Sequence, residues 1–158
     1  MKNFTQKFIG IFAIVFAMSF TVNSQEIGDQ HAGGIVFQIN EDGTGLVADL
    51  EDLGRMGWRD AMLSCSGCTP IAGVAGEATT SQGYDDWLLP SLQELQLMYS
   101  TIGQGGSLGN IGGFNNAYYW SADDNGWNIA QGVDFYNGYT SNYASMNELR
   151  RVRVIRAF

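Results

Sequence analysis

The chain has 158 residues, with sixteen acidic side chains against eight basic ones and a formal charge of −8. A surface of that sign repels nucleic acid and anionic membranes, so neither is expected as a partner. The length suits one domain built on one core.

Both lysines, Lys2 and Lys7, precede the apolar run "FIGIFAIVFAMSF", and the small residues Val22 and Ser24 stand three and one positions before a natural cut. This is the pattern of a secretory signal peptide over residues 1–24, cleaved near Ser24 or Gln25. The run falls short of the ~20 apolar residues that span a bilayer, and no cysteine follows it to carry a lipid. The expectation is export from a Gram-negative-type bacterium, to the periplasm or cell exterior, with no membrane insertion after cleavage. Residues 25–158 then form one domain with sixteen acids, six arginines and a formal charge of −10. Four of those arginines stand in the last nine residues, 150–158.

Ile35 to Asn40 and Leu46 to Leu50 are strand-like runs joined by the turn Glu41-Asp42-Gly43-Thr44-Gly45, which predicts a hairpin. Trp58, Ala61, Met62 and Cys65 follow at helical spacing. Cys65 and Cys68 form "CSGC", and in an oxidising compartment such a pair usually closes a disulfide. A redox pair needs a depressed thiol pKa, which the negative end of a helix disfavours. Zinc is poorer still, with one histidine, His31, and no second cysteine pair. A loop of small and polar residues is expected from about Thr69 to Gln82.

"GYDDWLLPSLQELQLMY", residues 83–99, announces a second helix. Ser91 and Glu94 form a capping box, Pro90 excludes an earlier start, and Leu92, Leu95, Tyr99 and Ile102 give one apolar face. Adjacent Asp85 and Asp86 read as solvated acids of a turn rather than a cation site. "GQGGSLGNIGG", residues 103–113, lacks the lysine and the βαβ setting of a phosphate loop and reads as an irregular connection. From Asn115 onward "AYYWSA", "GWNIAQ", "VDFYNG" and "RRVRVIRAF" are short strand-like runs split by Gly, Asn and Asp, which predicts an antiparallel meander. The last run is expected to pair near the first hairpin. The order of elements gives an α+β fold: an antiparallel sheet, two flanking helices and long irregular loops.

"IGDQHAGGIVFQI", "GYDDWLLPSLQELQLMY", "GGFNNAYYWSA" and the closing "RVRVIRAF" occur in the order found in one bacterial domain family. The chain resembles the family named for the C-terminal domain of the Legionella collagen-like adhesin, nearest to the branch described as a major paralogous domain in Fibrobacter. The most specific part is Trp87 to Leu95, a Trp-x-x-Pro-Ser-x-x-Glu-Leu core with one extra residue before Pro90, joined by Tyr119-Trp120-Ser121 and Arg151-Val152-Arg153. The resemblance covers residues 25–158. It implies a C-type-lectin-like fold, an extracellular location and, from the namesake, adhesion to sulfated glycosaminoglycans. Ala122 and Asp123 replace serines common in the family, and the Glu-Pro-Asn or Gln-Pro-Asp calcium loop of lectins is absent. No cofactor is therefore expected; calcium stays open as a ligand, without a lectin motif to support it.

Trp87 and Trp120 read as core. Asp123 to Tyr143 differ: Asp123, Asp124, Asn125, Trp127, Asn128, Tyr136, Asn137, Tyr139, Asn142 and Tyr143 interleave aromatic faces with amides and acids. Flat apolar faces suit sugar C–H surfaces, and planar amides and acids suit hydroxyls, so these residues are the candidate ligand-binding set. The plainer reading is that Tyr and Asn decorate hairpin turns. Arg151 and Arg153 share one face of a strand. They are expected either to pair with carboxylates inside the protein or to bind the sulfate or carboxylate of a glycan. No Gly-x-Ser-x-Gly, histidine pair or acid/base dyad stands out, so no catalysis is expected. The reading is a secreted binding or adhesion module for an extracellular glycan. The alternative is a structural or protein-interaction module whose loops contact a surface protein.

Overall fold

The structure, a computed structural model, describes residues 25–65 and 80–158. The expected export segment, Cys68 and most of the expected loop ending at Gln82 lie outside them. The fold is α+β. Strand β1 (Gln30–His31) leads into the predicted hairpin of β2 (Gly34–Ile39) and β3 (Gly45–Asp49), with a bulge between Val36 and Gln38. After β4 (Gly54–Met56) comes helix α1 (Trp58–Leu63), then α2 (Leu92–Thr101). Strands β5 (Tyr118–Gly126), β6 (Ile129–Asp134) and β7 (Thr140–Ser145) form an antiparallel meander. The expected strand "VDFYNG" is instead the end of β6 and the turn after it, and β7 falls in "TSNYAS", outside the expected strands. The chain closes with β8 (Arg150–Val152) and β9 (Ile155–Ala157).

The expected single sheet is two. One has the order β1-β2-β3-β9 and the other β4-β8-β5-β6-β7. The arginine-rich end, expected as one strand, divides between them. β8 pairs antiparallel with β4 and touches β5 in parallel at Tyr119 and Arg151, whereas β9 pairs with β3. A run that passes from one sheet to the other builds a corner between them. Its break falls at Arg153 and Val154, where the Val154 carbonyl accepts from the Asp49 amide at 2.9 Å. The last residues therefore do return to the first hairpin, as expected, but only from Ile155 onward.

Residues 83–99 stitch the two sheets together. Leu88 and Ile155 exchange backbone hydrogen bonds of 2.7 and 2.8 Å, which ties the segment to β9. The Pro90 carbonyl accepts from Ala122 of β5 at 2.7 Å. Between these points Ser91 caps α2: its hydroxyl accepts from the Glu94 amide, and Glu94 Oε2 accepts from the Ser91 amide at 2.7 Å. Asp86 receives both arms of Arg156, at 2.7 and 2.9 Å. That guanidinium, hydrogen-bonded to the carboxylate, holds the Asp86 carboxyl below its ordinary range.

Two apolar clusters fill the interior. Trp58, Trp87, Trp120, Val36, Val47 and Val152 belong to one, and α2 contributes Leu95 and Met98 to the other, beside Phe37, Phe114, Tyr119 and Phe135. Each buried tryptophan has an acceptor for its indole N–H: the carbonyls of Ser121, Ser81 and Met56 take those of Trp58, Trp87 and Trp120 at 2.8–3.0 Å. Burial therefore leaves no indole donor unpaired. The fourth tryptophan, Trp127, is 95% exposed.

Cys65 is buried just after α1, its Sγ 3.3 Å from the Met62 carbonyl oxygen, and it is not a free thiol. Among the described residues no helix is long and apolar enough to cross a membrane.

Candidate functional site

The β5–β6 connection is two residues long. Gly126 pairs with Ile129, and Trp127 and Asn128 between them have φ of 54° and 63°. Positive φ at both central positions is the requirement of a type I′ turn, which Asn and Gly usually meet. Asn128 suits it. Trp127 does not, because a bulky side chain in the left-handed region costs about 1–2 kcal/mol. The backbone is held there by its surroundings: the Asn128 carbonyl accepts from the Met146 amide at 3.1 Å, and Asp124 Oδ1 accepts from the Gly126 amide at 2.7 Å. Asn128 Oδ1 also meets Arg59 Nη2 at 3.4 Å. The indole projects from this anchored tip into solvent.

Behind the tip, both neighbours of β6 bulge around Gln131. On β7, Ala144 pairs with Ala130 and Ser141 with Gly132, so Asn142 and Tyr143 together face Gln131. On β5, Ser121, Ala122 and Asp123 lie opposite the same residue. An amide relay crosses the three strands: Gln131 Nε2 donates to Asn125 Oδ1, and Asn125 Nδ2 donates to the Asn142 carbonyl at 2.7 Å. The relay fixes the bulges, and the bulges turn Tyr143 outward, where it is 85% exposed.

The β5 bulge also docks the strand onto the head of α2, where Asp123 Oδ2 accepts from the Leu92 amide. The result is an open groove of about 420 Å³ lined by Ser91, Leu92, Gln93, Asp123, Asp124 and Gln131. Its acceptors and amides, one hairpin away from the exposed indole, suit hydroxyl groups. Gln93 and Gln131 were not among the predicted residues. Nothing local marks them, because their place depends on which strands pair and where they bulge.

The predicted set does not form one site. Asp123, Asp124, Asn125, Trp127, Asn128, Asn142 and Tyr143 gather at the end of the sheet that carries the β5–β6 turn. Tyr136, Asn137 and Tyr139 belong to the β6–β7 turn, at the far end of a six-residue strand roughly 20 Å long. Their polar groups close that turn: Asp134 Oδ1 accepts from the Tyr136 amide at 3.0 Å and Asn137 Oδ1 from the Tyr139 amide at 2.8 Å. The loop-borne pattern in the sequence merged two ends of one sheet.

Arg151 and Arg153 are elsewhere again, and both meet Asp52. Arg153 Nε lies 2.7 Å from Asp52 Oδ1 and Arg151 Nη1 3.0 Å from Oδ2. Arg153 is buried and spends its Nη1 on the carbonyls of Asp49 and Gly112, at 2.8 and 2.9 Å. Tyr119 completes the cluster, its hydroxyl donating to Asp52 Oδ2 at 2.9 Å and accepting from the Asn115 amide. Burial, with Asp52 beside it, pushes the Tyr119 phenol up to about 12.

Among the described residues no three His, Cys, Asp or Glu side chains gather as a metal site would require. No protein-family model and no curated protein matches the chain.

Proposed function

We propose that the chain is a secreted, non-catalytic binding module with a C-type-lectin-like fold, which recognises a glycan or surface polymer through the β5–β6 hairpin and the groove at the head of α2. One observation carries the reading. Trp127 bears two costs at once, full exposure of a large apolar ring and a left-handed backbone, and neither serves the fold. Strain and exposure together at one anchored tip are what a ligand platform shows. A flat indole beside carboxylates and amides matches the two faces of a sugar, its C–H surface and its hydroxyls. The lectin-like assignment rests on the family resemblance, and the two helices, the irregular connection and the closing strand beside the first hairpin agree with it.

A glycan array read with and without calcium, on the wild-type chain and on Trp127→Asn, tests the reading. Carbohydrate signal that disappears in the variant, whatever the calcium level, supports it. An array with no signal, together with a pull-down that returns one protein partner, favours a surface-assembly role instead.

A further inference from the structure

Across the β4–β8 ladder Arg55 stands directly opposite Arg151. Like charges so placed repel each other, and in so acidic a chain a nearby carboxylate normally relieves them. Arg151 has Asp52 at 3.0 Å. Likewise Arg150 has Glu148, Arg153 shares Asp52, and Arg156 has Asp86. Among the described residues Arg55 has no carboxylate, and neither has Arg59, which meets only Asn128. The Nε and Nη2 of Arg55 both donate to the Leu149 carbonyl, at 3.3 and 2.9 Å, and its Nη1 has no partner among those residues. It is exposed at the mouth of a cavity of about 390 Å³ that it lines with Tyr118, Glu148, Leu149, Arg150 and Arg151.

Arg150 makes this cavity rigid. Its guanidinium lies 4.5 Å from the centre of the Tyr118 ring and 4.6 Å from that of Trp120. Glu148 accepts from its Nε and Nη2 and Ser141 from its Nη2, its buried Nη1 has no hydrogen-bond partner among the described residues, and Gly132 leaves the space that the group enters. Tyr118 is thereby fixed, with 37% of its surface still exposed.

We propose that this cavity binds the carboxylate of an acidic sugar, with Arg55 as the anchoring cation and Tyr118 as the surface against which the ring rests. The charges set the ligand class. With Arg153, which shares Asp52, the four arginines and their two acids sum to +2, and the one of these cations that lines the cavity without a carboxylate partner is Arg55, which suits one carboxylate. A densely sulfated polymer would carry many charges past the cavity's single unpaired arginine and along the surface of a strongly acidic chain, so it is disfavoured. The guanidinium fork of Arg55 matches a carboxylate in shape as well as sign.

This inference rests on the glycan-binding reading, and one set of spectra separates the two. D-glucuronate titrated into the intact ¹⁵N-labelled chain should shift the amide signals of Tyr118, Leu149 and Arg151 saturably, whereas glucose leaves those three unmoved. Arg55→Gln should weaken the glucuronate isotherm roughly tenfold, and Arg55→Lys should fall between the two. Arg55 is exposed, so both variants should keep the wild-type signal dispersion. Absence of saturable shifts, or an Arg55→Gln isotherm equal to wild type, would overturn the site. Inorganic sulfate binding as tightly as glucuronate would overturn the single-charge account. Sugar-dependent shifts confined to Asn125 through Asn128 would leave the hairpin reading standing and remove this one.

Discussion

Arg153 Nε and Asp52 Oδ1, 101 residues apart in sequence, meet at 2.7 Å with both side chains less than a tenth exposed. Asp52 serves two arginines, a tyrosine hydroxyl and the side-chain amide of Asn115 at once. Asp52→Ala would leave buried guanidinium charge without its counter-ion, a loss that costs about 3–5 kcal/mol. Urea unfolding should show a loss of that order. A loss under about 1 kcal/mol would mean that the cluster is solvated and does not hold the corner between the sheets.

Tyr119 makes the same cluster sensitive to alkali. Its folded-state pKa, about 12, lies above the ordinary value of 10. Stability from the neutral phenol is therefore complete below pH 10 and drains away as the pH rises from about 10 to about 12. Over that window the loss approaches roughly 2–3 kcal/mol. Ultraviolet titration should show a late tyrosine phase that coincides with unfolding, and Tyr119→Phe should remove it.

Asp123 and Asp124 are adjacent yet should behave differently. Asp123 caps the Leu92 amide, so Asp123→Ala should cost about 1 kcal/mol of stability. Asp124 is exposed and closes only its own turn. Asp124→Ala should leave the melting temperature within a degree or two of wild type and weaken glycan binding severalfold. Equal melting losses in the two variants would contradict this division.

The Gln131–Asn125–Asn142 relay should be visible in hydrogen exchange. Asn125→Ala removes an acceptor from Gln131 and a donor from the Asn142 carbonyl, at a cost of about 1 kcal/mol. Amides of β6 and β7 near the bulges should exchange faster, while those of α2 keep their protection. Uniform acceleration across the chain would show that the relay is global rather than local.

The elements written in local chemistry were legible in the sequence. Ser91 and Glu94 mark α2 because a capping box needs only four residues. The β2–β3 hairpin and strands β5 and β6 follow from apolar runs and their turns, whereas β7, "TSNYAS", has no apolar run to announce it. The partition into two sheets was not legible, since "RRVRVIRAF" has the even period of one strand, and only the demand of Asp49, Asp52 and Gly112 for Arg153 breaks it. Three-residue β4 was invisible for lack of a run. Trp127 was picked out by composition, but its separation from Tyr136 and Tyr139 depends on β6 lying between two turns. Arg55 carried no signal at all, because its meaning comes from facing Arg151 across a ladder that the sequence does not disclose.

The most direct test is a paired measurement on Trp127→Asn, comparing its thermal melt with its glycan binding. Asparagine accepts the left-handed turn that tryptophan resists, so stability should hold or rise by up to about 1 kcal/mol while binding falls by at least tenfold. Binding retained at wild-type strength, or a fold that collapses without the indole, would contradict the view that this residue is kept for a ligand.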